Sequence, residues 1–164
     1  VTDIVRFSNT PIVFTKAGFL FTTTVNKLRC ILPYAEFQHV GSTAIPGTLT
    51  KGDLDIVVRV SPEHFCEADL RLAELFERNT GSFQSNEFSA FQDVTSDPEL
   101  GVQLVAIGSD ADHFHVWRQL LESDAELRCK YDELKRSFEG QSMELYREAK
   151  AQFITDYLGG QYSL

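Results

Sequence analysis

Along the chain, stretches whose apolar residues return every three to four positions alternate with shorter ones that are apolar almost throughout. Between Lys16 and Leu32, the residues Phe19, Leu20, Leu28, Ile31 and Leu32 follow helical spacing, Thr22 to Val25 weakens the pattern, and Pro33 stops it. Glu36 to Val40 predicts a short strand ending at Gly41-Ser42, and Ala44 to Leu49, which carries Pro46-Gly47, predicts a turn or a very short helix. Asp53 to Val60 is the clearest strand, with Leu54, Ile56, Val58 and Val60 on one face and Val57 following Asp53 and Asp55 on the other. Ser61-Pro62-Glu63 supplies a helix start, a capping hydroxyl followed by a proline and an acid in the first turn, and Phe65, Leu72, Leu75 and Phe76 give that helix its buried stripe. Phe88 to Val94 and Val102 to Ile107 predict paired strands joined by the polar linker Thr95 to Gly101. From Asp112 to Leu158 the pattern is helical, broken near Ser123-Asp124 and again near Gly140.

This order of elements, without repeats or low-complexity tracts, predicts an α/β or α+β fold: a small mixed β-sheet flanked by helices, with further helices at the C-terminal end. The length of 164 residues and a hydrophobic content of 43% suffice for one core, so a single domain over 1–164 is expected, its C-terminal helical part at about 112–158. Fifteen Lys and Arg against 24 Asp and Glu leave a net charge of -9 with no basic run, which argues against general nucleic-acid binding. Charges interrupt the longest apolar stretches and the N-terminal residues lack the order of a signal peptide, so a soluble, cytoplasmic protein without a membrane partner is expected. Cys30, Cys66 and Cys129 are far apart with no C-x-x-C pair; they read as buried free thiols, and neither a disulfide framework nor a zinc site is expected.

The chemistry concentrates in two neighbouring strings, His39 to Gly47 and Lys51-Gly52-Asp53-Leu54-Asp55-Ile56. Residues two apart on a strand share a face, so Asp53 and Asp55 project together and can grip one hard cation such as Mg²⁺ or Mn²⁺. At about 4 Å and an effective dielectric of about 20, two such carboxylates repel by roughly 4 kcal/mol. A metal or Lys51 is the available compensation. Glycine at position 41 lets the backbone approach a ligand closely, and the N–H groups that follow, with the Ser42 and Thr43 hydroxyls, are donors for phosphate oxygens. Either half alone is common, as an ordinary turn or a solvated strand end. The combination, with ten residues between Ser42 and Asp53, is specific.

A strand ending in Gly-Ser followed by an Asp-x-Asp strand resembles the signature of the nucleotidyltransferase superfamily. More narrowly, His39-Val40-Gly41-Ser42-Thr43-Ala44-Ile45-Pro46-Gly47, with Lys51 four residues beyond, resembles the GrpB family. Trp117-Arg118 with Leu121, Tyr131 with Leu134-Lys135, and Tyr146 with Lys150 and Phe153 extend that resemblance through the C-terminal part. It implies the nucleotidyltransferase fold and a metal-bound nucleoside triphosphate, and basic residues on helices beyond the sheet, Lys135 and Lys150 here, that reach the phosphates. Active members of the superfamily usually carry a third carboxylate on a later strand. Here Val102 to Ile107 has none, and Gln103 stands among its residues as an uncharged ligand group; Asp93, Asp97 and Glu99 are the nearby acids. His39 lies beside Gly41 as a further phosphate contact or, as is commoner for a histidine on an apolar strand, a satisfied core or rim residue, and His113 and His115 suit a capping or surface role.

The resulting expectation is a nucleotidyltransferase in which Asp53 and Asp55 are the catalytic and metal-holding acids. Gly41, Ser42, Thr43, Lys51, His39, Gln103, Lys135 and Lys150 would bind the nucleotide of a nucleoside triphosphate, with an unknown acceptor. The alternatives are a nucleotide-binding module of the same fold without transfer activity, favoured by the missing third acid, and an interaction protein whose acids are structural.

Overall fold

Pro11, whose missing N–H is no loss at a first helical position, opens α1 (Pro11–Ile31). The computed structural model describes residues 3–159. The helix starts earlier than spacing from Lys16 predicts and runs unbroken through Thr22 to Val25. Thr24 and Val25 are buried there, while the Thr22 and Thr23 hydroxyls donate to the carbonyls of Gly18 and Phe19 at 3.1 and 3.0 Å. Burial outweighs weak propensity.

The strands are β1 (Glu36–Val40), β2 (Leu54–Val60), β3 (Glu77–Arg78), β4 (Phe88–Asp93) and β5 (Leu100–Ala106). They form one sheet in the order β1-β2-β5-β4-β3, in which only β2 and β5 run parallel. The parallel pair needs a crossover, and α2 (Phe65–Leu75) lies within it. Ser61 does not cap this helix: its hydroxyl bonds His64 Nδ1 at 2.9 Å, and a 3₁₀ turn over Pro62–His64 leads in. Phe65, Ala68 and Leu72 make the buried stripe; Leu75 is exposed, because the chain leaves the helix there for β3, a two-residue edge strand too short to announce itself in the sequence.

Strand alternation divides the sheet into two faces. Leu54, Ile56, Val58 and Val60, with Leu100, Val102, Leu104, Ala106 and Phe91, pack on α1 and α2 as the main core. Fully burying a ring such as Phe91 contributes roughly 1.5–3 kcal/mol. Val40, Val57, Phe88, Ala90 and Val105 form a thinner apolar layer on the other face. The last helices among the described residues are α3 (Phe114–Ser123), α4 (Ala125–Phe138) and α5 (Met143–Leu158). The breaks fall where Asp124 and Ser142 accept from the N–H groups of Leu127 and Leu145 as N-caps. These helices enclose their own core of Trp117, Leu121, Leu127, Tyr131, Ile154 and Leu158, which Ile45 joins from the loop after β1. The N-terminal segment ties down the α4–α5 turn through Val5 N–H to Gln141 O, Gly140 N–H to Val5 O and Met143 N–H to Asp3 O.

All three cysteines are exposed, contrary to the buried thiols expected. Cys30, Cys66 and Cys129 sit on the outer faces of helices, where their apolar character goes unused. No described helix is long and apolar enough to cross a membrane.

Candidate functional site

The face of the sheet turned away from α1 and α2 carries an acid in a slot made by two glycines. Asp55 pairs with Val40 on one side and Gly101 on the other. Gly41, just beyond β1, has φ +75, and a Cβ there would stand 2.6 Å from Asp55 Oδ2; one on Gly101 would stand 2.8 Å from Oδ1. Only glycine leaves room for the carboxyl at both places. Gln103, next on the same face of β5, points its Nε2 at Asp55 Oδ1 over a long 3.4 Å, while its Oε1 is buried with no hydrogen-bond partner. Turning the amide round would set that oxygen against the carboxylate, so the orphaned acceptor is intrinsic to the arrangement.

Burial, and then the neighbouring charge of Asp53, push the Asp55 carboxyl up to about 6, against the pull of Lys150, Lys51 and Gln103. Asp53 precedes β2 and is partly exposed, with Lys51 Nζ at 3.2 Å from its Oδ2. Burial alone would lower the Lys150 ammonium, but Tyr146, Asp55 and Asp53 outweigh it and hold the group above its ordinary value. Lys150 therefore stays charged opposite the two acids.

Behind the turn lies Lys135, which is 1% exposed. Its Nζ donates to Ser42 Oγ at 2.9 Å and to Leu49 O at 2.6 Å, and stands 4.1 Å from the centre of the Tyr131 ring. Burial lowers its pKa to about 8, with Asp132 opposing. Since Lys135 occupies one lone pair of the Ser42 oxygen, the Ser42 hydroxyl hydrogen is left to point elsewhere. Lys135 thus acts on the turn from behind.

Thr43 and His39 take up each other. Thr43 Oγ1 stands 2.9 Å from His39 Nε2 and donates to Asp53 O at 3.0 Å. The His39 ring stacks on Phe21 of α1, on the opposite face of the sheet from Asp55, and burial with the nearby Arg118 lowers its pKa to about 4. Neither side chain lines the cleft in front of Asp55. Of the capping or surface role expected for His113 and His115, His113 takes the N-cap position of α3 although its side chain makes no cap bond; it is 5% exposed and stacks on Phe114, and His115 Nδ1 is 3.5 Å from Asp112.

That cleft, of about 520 Å³, lies between the sheet and the C-terminal helices. Gly41, Ser42, Asp55 and Gln103 line its floor, and Arg118, Arg147 and Lys150 bring three cations from α3 and α5. Its remaining wall is aromatic, with Phe83, Phe88, Phe114, Trp117 and Tyr131. A second cavity of about 500 Å³ opens on the far side of Asp53, lined by Lys51, Lys16, Asp97 and Glu99 among others.

The family model described as GrpB protein matches residues 18–159, nearly the whole described chain. The chain belongs to the GrpB family. The UPF0157 protein of Vibrio cholerae serotype O1 is 34% identical over 134 residues, which cover 81% of this chain and 71% of that protein. Among solved structures, the conserved protein GrpB from Enterococcus faecalis has a TM-score of 0.62 at 15% identity, covering 93% of this chain and 91% of that one. The Cid1 poly(U) polymerase with MgGTP bound has a TM-score of 0.53 at 17% identity over 74% of this chain, a likeness spanning 41% of the Cid1 chain. The fold is thus nucleotidyltransferase-like, as the resemblance implied.

Within this GrpB-family chain, Gly41, Ser42, Asp55, Gln103 and Lys150 meet at one cleft, Asp53 and Lys51 line the second cavity instead, and Lys135 lies behind the turn. None of the acids considered as a third carboxylate lines the cleft. Asp93 accepts from the Thr95 N–H and hydroxyl, Asp97 pairs with Lys16 at 2.8 Å, and Glu99 lines the second cavity. Among the described residues, no three His, Cys, Asp or Glu side chains gather as a metal cluster. Arg147, Gly101 and the aromatic wall went unrecognised in the sequence. Arg147 was within reach, because it lies three residues before Lys150 and so shares its helix face.

Proposed function

We propose that the cleft binds a nucleoside triphosphate together with one Mg²⁺ or Mn²⁺ ion and transfers its nucleotidyl group to an acceptor. The observation that carries this reading is Asp55, an acid held between two glycines and facing a cleft lined by Lys150, Arg147 and Arg118. The cations suit a polyphosphate, and about 520 Å³ falls within the roughly 300–1,000 Å³ of small-molecule sites. The metal's place is supported by the donor chemistry: Asp55 and Asp53 offer two hard carboxylate ligands, and a cation would offset the burial and the Asp53 charge that raise Asp55. Two such carboxylates suit one ion completed by phosphate oxygens and water. When bound, that ion supplies charge neutralisation and orientation at the α-phosphate.

The chain's own residues do the rest. The Ser42 hydroxyl, fixed from behind by Lys135, and the backbone after Gly41 donate to phosphate oxygens, while Lys150 and Arg147 neutralise the charge that builds on the leaving pyrophosphate. A second reading, binding without transfer, is favoured by Gln103, an amide on the strand where a third carboxylate is expected. Titration with Mg²⁺-ATP followed by a pyrophosphate-release assay across hydroxyl, amine and phosphate acceptors separates the two. Binding with no pyrophosphate from any acceptor sinks transfer; no binding of Mg²⁺-ATP sinks both.

A further inference from the structure

The end of the cleft away from Asp55 is built of parallel rings. Phe83 lies over Phe88 with ring centres 4.6 Å apart and planes 23° apart, and Phe88 lies over Phe114 at 6.1 Å and 10°. Phe88 is buried, but Phe83 is 48% exposed while lining the cleft, so a large apolar ring stands against water in a cavity whose other end is cationic. Sheet register sets the separation. Asp55 pairs with Gly101 and Phe88 with Val105, two strands and four residues away, about 16 Å between Cα atoms from a rise of about 3.3 Å and a spacing of about 4.8 Å. Side chains at both ends shorten that span to one that a nucleoside polyphosphate bridges and inorganic phosphate does not.

We propose that Phe83, backed by Phe88 and Phe114, is the stacking platform for the base of the bound nucleotide, and that it favours purines over pyrimidines without telling one purine from another. This rests on the reading of the cleft as a polyphosphate site. Stacking is read by ring area, and every base has a π-face. Gly81, Ala90, Phe88 and Phe114 around the platform have no hydrogen-bonding side-chain atoms; Ser82 adds a single hydroxyl and His113, stacked on Phe114, an imidazole whose Nδ1 stands 3.3 Å from Asp110 O, so few side-chain groups are left to read the base edge.

The test is calorimetric titration of the full chain with Mg²⁺ and, in turn, ATP, GTP, UTP and inorganic tripolyphosphate, on wild type, Phe83→Ala and Phe83→Trp. The expected result is that wild type binds ATP and GTP about equally, UTP more weakly, and tripolyphosphate about tenfold more weakly than ATP. Phe83→Ala should bring ATP down to the level of tripolyphosphate without changing tripolyphosphate itself, and Phe83→Trp should restore the gap. Phe83 is half-exposed on a loop, so the variants should fold, with melting curves as the check. Tripolyphosphate binding with no added affinity from a base, or an equal loss of both ligands in Phe83→Ala, overturns the platform alone. Failure of every ligand to bind overturns the polyphosphate site and the platform with it.

Discussion

Replacing Asp55 with Asn should make the metal-free protein more stable at neutral pH while abolishing Mg²⁺-nucleotide binding. The carboxyl is raised from 3.8 to about 6, first by burial and then by Asp53, so ionising it in the folded protein is unfavourable. A difference of about 2 pKa units, at about 1.36 kcal/mol each, corresponds to about 3 kcal/mol. The sign follows from linkage. An acid whose folded pKa lies above its unfolded value binds its proton more tightly when folded, so the wild type loses stability as pH rises from about 4 to about 6 and stays lowered above that. Asparagine has the same shape, keeps an oxygen for Gln103 Nε2 and never ionises. Urea unfolding followed by the fluorescence of Trp117, the one tryptophan, would measure the gap. It should be small near pH 4, approach 3 kcal/mol above pH 6, and shrink in an Asp53→Asn background. Mg²⁺-ATP at about a thousandfold excess over its Kd should reverse the ranking, since it stabilises the wild type by about 4.1 kcal/mol and the variant forfeits that gain. An Asp55→Asn protein no more stable than wild type at pH 7, or an advantage that does not fade towards pH 4, would refute the reasoning.

The glycine slot predicts that Gly101→Ala costs about 1–3 kcal/mol by thermal or urea unfolding, because its Cβ would meet Asp55 Oδ1 at 2.8 Å and Gln103 Nε2 at 3.2 Å; most of that cost should vanish in an Asp55→Ala background. Arg147→Ala should leave the unfolding midpoint nearly unchanged and weaken Mg²⁺-ATP binding by about tenfold, read by calorimetry at low and high salt. Lys135, lowered to about 8 by burial, is held less tightly protonated when folded than when unfolded. Wild-type stability should therefore rise between about pH 8 and 10, a rise that pH-dependent unfolding should find missing in Lys135→Met.

Most of the architecture was legible because the core is patterned locally. The alternation in Leu54 to Val60 and the apolar spacing from Phe114 to Leu158 each answer to a single face of a single element. What escaped depends on partners distant in the chain. Thr22 to Val25 reads as a poor helix until the sheet covers it, and Leu75 reads as core until the following strand turns away. At the site, Gly41-Ser42 and Asp53-Leu54-Asp55 were visible as neighbours in sequence, whereas Gly101 acquires meaning only through its pairing opposite Asp55. The same distance hid the different situations of two candidate lysines. Lys135 and Lys150 look alike in the sequence, each four residues after a tyrosine, yet one is locked behind Ser42 and the other faces the acids.

The cations that face Asp55 come from α3 and α5, and the turn that leads into α5 is anchored by the residues that precede α1. During synthesis, a nascent chain that has emerged as far as β5 already holds the glycine turn and both aspartates but has neither Lys150 nor Arg147. Of the cations near the two acids, only Lys51 is then in place, beside Asp53. On the proposed reading, nucleotide capture would therefore wait for α5: a shorter chain on the ribosome carries the acids without the half of the pocket that supplies Lys150 and Arg147.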